Sequence, residues 1–132
     1  RASNSGSLGE KHPVAVRQIS AVTLAVEDMA RSVSFYQTTV GLELLYGGPG
    51  ESFTSFRVGG GYVNLVLVPE RTSSWWGRII LYVDDVDATY QRFTDAGERP
   101  STTPQDAPWG ERFFHIDDPD GHELSFARPL NQ

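Results

Sequence analysis

The stretch TLAVEDMARSVSFYQTTVG, residues 23–41, decides the fold because it reads as a strand followed by a capped helix. Its branched apolar start has strand length, and we expect the strand to run back to about residue 18. Glu27 and Asp28 stand where an N-terminal helix cap belongs, and Gly41 is placed to end the helix. Between them, apolar residues recur at helical spacing: Met29, Val33, Tyr36 and Val40.

A second stretch, ILYVDDVDATYQRFTDAG at residues 80–97, repeats this order, with Asp84 and Asp85 as caps and Gly97 as the end. Strand-like segments follow the first helix (LELLYG, FTSFRVG and YVNLVLV), and others follow the second (around residues 99–103, RFFHI and HELSFA). We therefore predict an α+β fold with two βαβββ modules, about residues 17–70 and 76–130, that form a cup-shaped sheet. Residues 1–16 lack the apolar core of a signal peptide, and we expect them to be a flexible lead-in instead.

Alternation along the predicted strands separates two faces. One face is wholly apolar and is predicted to pack under the helices: Val22, Leu24, Val26, Val63, Leu65, Leu67, Ile79, Leu81, Val83, Leu124 and Phe126. The opposite face, called the mixed face below, combines aromatic, small and polar residues: Ala21, Thr23, Ala25, Tyr62, Asn64, Val66, Arg78, Ile80, Tyr82, Glu123 and Ser125. We expect the mixed face to line a cleft.

Composition excludes several classes of partner. The net charge of −6 argues against nucleic acid, because phosphate binding needs a basic surface. The longest apolar run, YVNLVLV, is far shorter than a membrane span of roughly 18 residues. The absence of cysteine excludes disulfides, thiolate metal sites and cysteine nucleophiles. A cytoplasmic location is expected.

Three segments together resemble the vicinal oxygen chelate superfamily, which includes glyoxalase I, extradiol dioxygenases and bleomycin-resistance proteins. They are VTLAVEDMARSVSFYQTTVGLELL, VDDVDATYQRFTDAG and PWGERFFHIDDPDGHELSF. The last is the most specific and is similar to the bleomycin-resistance branch. The resemblance covers residues 18–129 and implies two βαβββ modules around a cup, in which the enzymes of the superfamily hold a divalent metal with His and Glu.

The metal-ligand positions that the resemblance implies carry no suitable ligands in this chain. They fall on Ala21, Asn64, Arg78 and Ser125, all on the mixed face. Alanine has no ligand atom, arginine is permanently positive, and the amide and hydroxyl are weak neutral donors. Divalent cations in proteins instead favour carboxylates or imidazole. We therefore predict neither a metal nor another cofactor.

Two polar groups could still carry chemistry. His115 and His122 flank the IDDPDG turn, where they form either a metal or catalytic pair or simply the flanks of a hairpin; we favour the hairpin. Arg78 and Glu123 are the strongest polar pair on the mixed face. Arg78 could bind a ligand anion while Glu123, with a raised pKa, acts as a base; a mutual ion pair is the alternative that we favour.

Aromatic side chains are the stronger functional signal. Planar aromatic ligands bind well to such groups by offset stacking. Trp75 and Trp76 could bind such a ligand or could equally well cover the core or a dimer seam. The residue that matches Trp109 lies at the drug groove in bleomycin-resistance proteins. The predicted ligand-binding residues are Trp109, Tyr62, Asn64, Arg78, Tyr82, Glu123, Ser125, Trp75, Trp76 and Phe114, and no catalytic residue is predicted.

These observations predict metal-independent sequestration of a small aromatic or glycopeptide-like ligand, of antibiotic type. The resemblance implies a homodimer, either side-by-side or domain-swapped, because the groove of the bleomycin-resistance proteins lies between two chains. The alternative is a metal-free or atypically metallated lyase or isomerase acting on an aromatic metabolite. A third possibility is a regulator that binds no small ligand.

Overall fold

The paired helix signals in the sequence fold as predicted. In the computed structural model, which describes residues 15–131, α1 spans Met29–Ser34 and continues as a π-helical segment over Phe35–Val40. The Asp28 carboxylate caps α1 by accepting a hydrogen bond from the Arg31 amide at 3.1 Å. Asp85 caps α2, which spans Val86–Asp95, by accepting from the Ala88 amide at 2.9 Å. The predicted lead-in lies outside the described residues, except for its last two.

Each helix is part of a module whose four strands form one sheet, and the two sheets have the same connectivity. The first module has β1 (Ala21–Val26), β2 (Glu43–Tyr46), β3 (Phe53–Val58) and β4 (Gly61–Leu67), in the order β1-β4-β3-β2. The second has β5 (Arg78–Tyr82), β6 (Gln105–Asp106), β7 (Glu111–Asp117) and β8 (Glu123–Pro129), in the order β5-β8-β7-β6. In each module the first and last strands are parallel and the other pairs are antiparallel. The α+β fold with two βαβββ modules is confirmed.

The sixth strand is shorter and later than predicted. It covers only Gln105–Asp106, paired with β7, rather than residues 99–103. The earlier segment still lies beside β7, because the Ser101 amide donates to the His115 carbonyl at 2.8 Å and the His115 amide donates to Thr102 Oγ1 at 2.9 Å. Proline at positions 100 and 104 has no amide hydrogen to donate, and this prevents a regular ladder there.

The predicted apolar face is confirmed as the face that meets the core. Every residue assigned to it belongs to one continuous apolar cluster under both helices. Phe114 also lies in this cluster, fully buried, and its ring packs against Phe93, Phe126 and Tyr90. The assignment of Phe114 to the ligand site is therefore wrong. Alternation along β7 directs Phe114 to the core and Phe113 to the mixed face.

The two modules are joined by polar contacts as well as by the core. On α2, Arg92 donates to the carbonyls of Thr39 and Val40 at the end of the π-helical segment, at 2.7 and 3.3 Å. Residues 68–77, which link the modules, contain neither helix nor strand. Among the described residues, no helix is long and apolar enough to cross a membrane.

Candidate ligand-binding site

Register places three cross-strand rows on the mixed face of the second sheet. The pairing of β5, β8 and β7 aligns Arg78 with Glu123 and Asp117, Ile80 with Ser125 and His115, and Tyr82 with Ala127 and Phe113. Residues directly opposite one another in adjacent strands point to the same side of the sheet. A charged row, a row containing His115 and an aromatic row therefore follow one another across this face.

Aromatic rings form a continuous series along β7. The indole of Trp109 stacks on Phe113 with ring centroids 5.8 Å apart and an interplanar angle of 27°, and Phe113 contacts the His115 ring at 5.0 Å. Trp109 is 68% exposed, so this end of the series is open to solvent. Phe113 and His115 were not predicted as ligand contacts. Alternation in ERFFHID would have placed both opposite Phe114, had the hairpin register been known.

Glu111 holds two predicted site residues together at the aromatic end of the face. It accepts hydrogen bonds from the Trp109 indole, at 3.0 Å, and from the Tyr82 hydroxyl. The bond to Glu111 raises the pKa of Tyr82, so this hydroxyl remains a donor. A cavity of about 470 Å³ lies here, lined by Tyr82, Trp109 and Glu111 together with residues near the chain's end.

Glu123 is the centre of the charged end of the face. Its half-buried carboxylate accepts a hydrogen bond from the Trp75 indole at 2.6 Å and lies 3.4 Å from Arg78 Nε and 3.0 Å from His115 Nδ1. Burial alone would raise the pKa of Glu123, but the hydrogen bonds from Trp75 and Arg78 and the nearby positive charge hold it below its usual value. The expected ion pair with Arg78 is present. The hypothesis of a raised-pKa Glu123 base is wrong.

The His115 imidazole is a weaker base than an ordinary histidine. Burial lowers the pKa of His115 and outweighs the attraction of Glu123, while the nearby Arg78 lowers it further. His115 therefore favours its neutral form near pH 7. The neighbouring Asp117 has a raised pKa, because of burial and then the negative charges of Glu123 and Asp118.

His122 belongs to the core and does not pair with His115. Its Nδ1 accepts a hydrogen bond from the Trp76 indole at 2.7 Å, and its Nε2 lies 2.8 Å from the Ala25 carbonyl oxygen. Because indole nitrogen only donates and carbonyl oxygen only accepts, His122 is neutral with its proton on Nε2. Trp76 is thereby fixed against β1, which supports its structural interpretation, although its ring is still half exposed.

The IDDPDG turn is a structural hairpin, as favoured from the sequence. Asp118 accepts from the amides of Asp120 and His122, each at 2.9 Å. The turn also links the modules, which the sequence did not reveal: the Tyr36 hydroxyl donates to Asp118 at 2.6 Å, and the Glu27 amide donates to Asp120 at 2.8 Å. Burial, followed by the charge of Asp118, raises the pKa of Tyr36 and keeps it a donor.

The first sheet contributes less to a site. Tyr62 is partly exposed with the Arg57 guanidinium 5.9 Å from its ring centre, and it lines a cavity of about 400 Å³ that also touches Trp76 and Arg78. This cavity lies between the two sheets and brings three predicted residues together. Asn64 donates to Thr23 at 3.3 Å and has a buried side-chain oxygen without a partner.

The four positions where the superfamily's enzymes hold a metal do not fit one in this chain. Arg78 is paired with Glu123, Ser125 is buried, and Ala21 and Asn64 provide at most one neutral oxygen. Across residues 15–131, no three His, Asp or Glu side chains are grouped so as to hold an ion.

Comparison with known proteins agrees with the fold and the motifs. The family model described as the glyoxalase/bleomycin resistance protein/dioxygenase superfamily matches residues 18–126. The chain belongs to this superfamily. It is 27% identical to the uncharacterized protein Rv0887c of Mycobacterium tuberculosis, over 94% of this chain and 82% of that protein.

Two solved structures superpose on the chain. TioX from Micromonospora sp. ML1 is 32% identical, with a TM-score of 0.71, and the match covers 86% of this chain and 100% of TioX. Lactoylglutathione lyase from Agrobacterium tumefaciens is 23% identical, with a TM-score of 0.69, covering 88% of this chain and 94% of that one. The second similarity shows the shared fold alone.

Proposed function

We propose that this superfamily member binds and sequesters a small aromatic molecule of antibiotic type, without a metal, on the mixed face of the second sheet in the cytoplasm. The observation that carries the proposal is the aromatic series of Trp109, Phe113 and His115, in which the first two rings are stacked and Trp109 is exposed. An exposed indole already stacked on a second ring offers a rigid platform for a planar ligand, with little ordering cost on binding.

The charge distribution on this face supports a binding role. The aromatic series runs from Trp109 toward Arg78, whose guanidinium is partly exposed and makes only long contacts, of 3.4 and 3.5 Å, with Glu123. A ligand ring on the series could therefore direct an anionic or polar substituent toward Arg78. Sequestration needs affinity and stoichiometry rather than a reactive group, which is consistent with metal positions that lack ligands.

A homodimer is part of this proposal. In the bleomycin-resistance proteins that the sequence resembles, the groove lies between two chains. On both sheets of this chain, large apolar side chains point away from the core and remain exposed, including Tyr46, Tyr62, Ile80 and Tyr82. A second copy that covered these residues would enclose the ligand and remove apolar surface from water. Sedimentation of the purified protein tests this directly.

A ligand screen by tryptophan fluorescence and calorimetry tests the proposal, with bleomycins, mitomycins and enediynes as probes. We expect one probe to quench the fluorescence at one molecule per chain and to be recovered unchanged. Trp109→Ala should weaken that binding about tenfold or more, equivalent to about 1.4 kcal/mol, because it removes a stacking surface. Trp109→Phe, which keeps a ring but loses the bond to Glu111, should retain most of the affinity. Equal affinity of the parent and Trp109→Ala would place the site elsewhere.

The alternative proposal is a metal-free enzyme acting on an aromatic metabolite. The observation that favours it is the close approach of His115 to Glu123 on the mixed face, since a carboxylate beside an imidazole is a recurrent acid–base arrangement. Recovery of a chemically altered probe would decide for the enzyme. Metal analysis of protein purified without chelator completes the test, because a stoichiometric transition metal would contradict both proposals.

A further inference from the structure

His115 has one nitrogen held by the protein and one nitrogen open. Its Nδ1 lies 3.0 Å from a carboxylate oxygen of Glu123. An unprotonated Nδ1 would set its lone pair against that negative oxygen, so the neutral ring carries its proton on Nδ1. Nε2 is then the proton-accepting atom. Within residues 15–131, no protein atom forms a hydrogen bond with Nε2. Nε2 is also not among the buried side-chain atoms without a hydrogen-bond partner, so it is exposed to solvent.

In the free protein the burial of His115 outweighs the charge of Glu123, and a second negative charge beside the ring would favour proton uptake. Burial lowers the pKa of His115, so in the free protein the ring favours its neutral form near pH 7 and can accept a proton. The charged groups that face it are Glu123 on β8, Arg78 on β5 and Asp117 on its own strand. Once protonated, His115 is stabilised by Glu123, and an oxyanion formed next to it is stabilised by Arg78.

The position of a ligand ring follows from the aromatic series. The Phe113 ring contacts His115 at 5.0 Å and Trp109 at 5.8 Å. A planar ligand that stacked beside the Trp109 and Phe113 rings would present its edge to His115 and Arg78. The Arg78 guanidinium lies 5.8 Å from the centre of the Trp75 ring, and Trp75 is anchored to Glu123, so the cation is held on this side of the face.

We propose that the site selects aromatic ligands with an acidic hydroxyl, that His115 Nε2 accepts the hydroxyl proton, and that Arg78 holds the resulting oxyanion. This rests on the proposed binding of aromatic ligands on the mixed face of the second sheet. The step breaks the ligand O–H bond and forms an N–H bond on His115. The electron pair stays on the oxygen, and no other bond changes.

The probe for this inference is 4-nitrophenol, because its phenolate absorbs visible light and its neutral form does not. The buffer is set about one pH unit below the pKa of the free probe, where roughly a tenth of it is ionised. We expect the parent protein to bind the probe largely as phenolate, which corresponds to at least about a tenfold shift in its ionisation equilibrium. The matched control, 4-nitroanisole, has no proton to give and should bind at least about tenfold more weakly.

Two substitutions separate proton transfer from stacking. His115→Asn keeps an N–H that can face Glu123 but removes the acceptor at Nε2, so the probe should still quench tryptophan fluorescence while its phenolate band disappears. Arg78→Gln removes the counter-charge and should shift the bound probe back toward its neutral form. Thermal unfolding confirms that each variant is folded, and His115→Gln replaces the first variant if it is not.

The outcomes distinguish this inference from the proposed function. A probe that binds and quenches fluorescence but stays neutral in the parent overturns the inference and leaves aromatic binding intact. An equal phenolate band in the parent and His115→Asn also overturns it, because another group then takes the proton. If 4-nitrophenol does not bind at all, the hydroxyl-aromatic class is wrong, and the antibiotic screen separately decides whether the face binds any aromatic ligand.

Discussion

Asp120→Asn should destabilise the fold far more than a substitution in an ordinary hairpin turn. The Asp120 side chain is only 1% exposed, and it accepts hydrogen bonds from the Glu27 amide at 2.8 Å and the Ser32 hydroxyl at 3.0 Å. Arg31 and Arg71 each lie 3.7 Å from the carboxylate. Asparagine keeps the shape and one acceptor oxygen but removes the charge that all four neighbours share.

The magnitude follows from these contacts. A hydrogen bond to a charged group contributes about 1.5–3 kcal/mol and a neutral one about 1 kcal/mol, so two weakened bonds cost roughly 1–3 kcal/mol. Losing the charge partner of the mostly buried Arg71 adds about 1 kcal/mol. We therefore expect the free energy of unfolding to fall by about 2–4 kcal/mol, and Tm by roughly 10 °C.

The assay is urea unfolding followed by tryptophan fluorescence, with Asp87→Asn as the control. Asp87 binds Arg112 through two hydrogen bonds of 2.8 Å, which are closer than the arginine contacts of Asp120, but its side chain is 61% exposed. Solvent screening limits such a pair to about 1 kcal/mol or less. If Asp87→Asn costs as much as Asp120→Asn, burial is not what gives the turn its strength and the reasoning fails.

Three further predictions test other parts of the structure. Phe114→Ala should lower the free energy of unfolding by about 3–5 kcal/mol in urea melts, because this ring is fully buried. Weaker ligand binding by this variant at unchanged stability would show instead that Phe114 contacts the ligand. Gly47→Ala should destabilise much more than Gly41→Ala in the same assay: both have positive φ, but only at Gly47 would the new Cβ lie 2.2 Å from the Phe53 carbonyl oxygen. Because the pKa of His115 lies below its usual 6.5 in the fold, the unfolded chain binds the proton first as pH falls. The stability that His115 contributes is therefore complete above about pH 6.5 and is lost as pH falls through the folded pKa. The free energy of unfolding of His115→Asn should fall less over this window than that of the parent. An equal dependence of this free energy on pH in both proteins would contradict the lowered pKa of His115.

The repeat and its helix ends could be predicted from the sequence because they depend on local chemistry. Asp28 and Asp85 cap their helices through amides three residues away, and period-two alternation separated the core face from the mixed face. The sixth strand was misplaced for a local reason as well. Two prolines interrupt pairing there, and strand propensity alone does not reveal which amides remain available.

The charged end of the site, around Glu123, could not be predicted in this way. His115 and Glu123 are eight residues apart, and a shift of one residue in the hairpin would place them on opposite faces. Only the pairing of Asp117 with Glu123 decides that His115 shares the mixed face with Arg78. Phe114 was assigned to the ligand site from the sequence, whereas the same register sends it to the core.

The sequence by itself determined the two βαβββ modules, the superfamily and the lack of metal ligands at its four usual positions, since each depends on residue identity at a known spacing. The tertiary structure alone decided how the remaining polar groups are used. It turned Asp118 and Asp120 of the IDDPDG turn inward to join the modules, fixed His122 beside Trp76, and left one nitrogen of His115 open. Burial and long-range contacts set these roles, and both arise only when distant segments pack together.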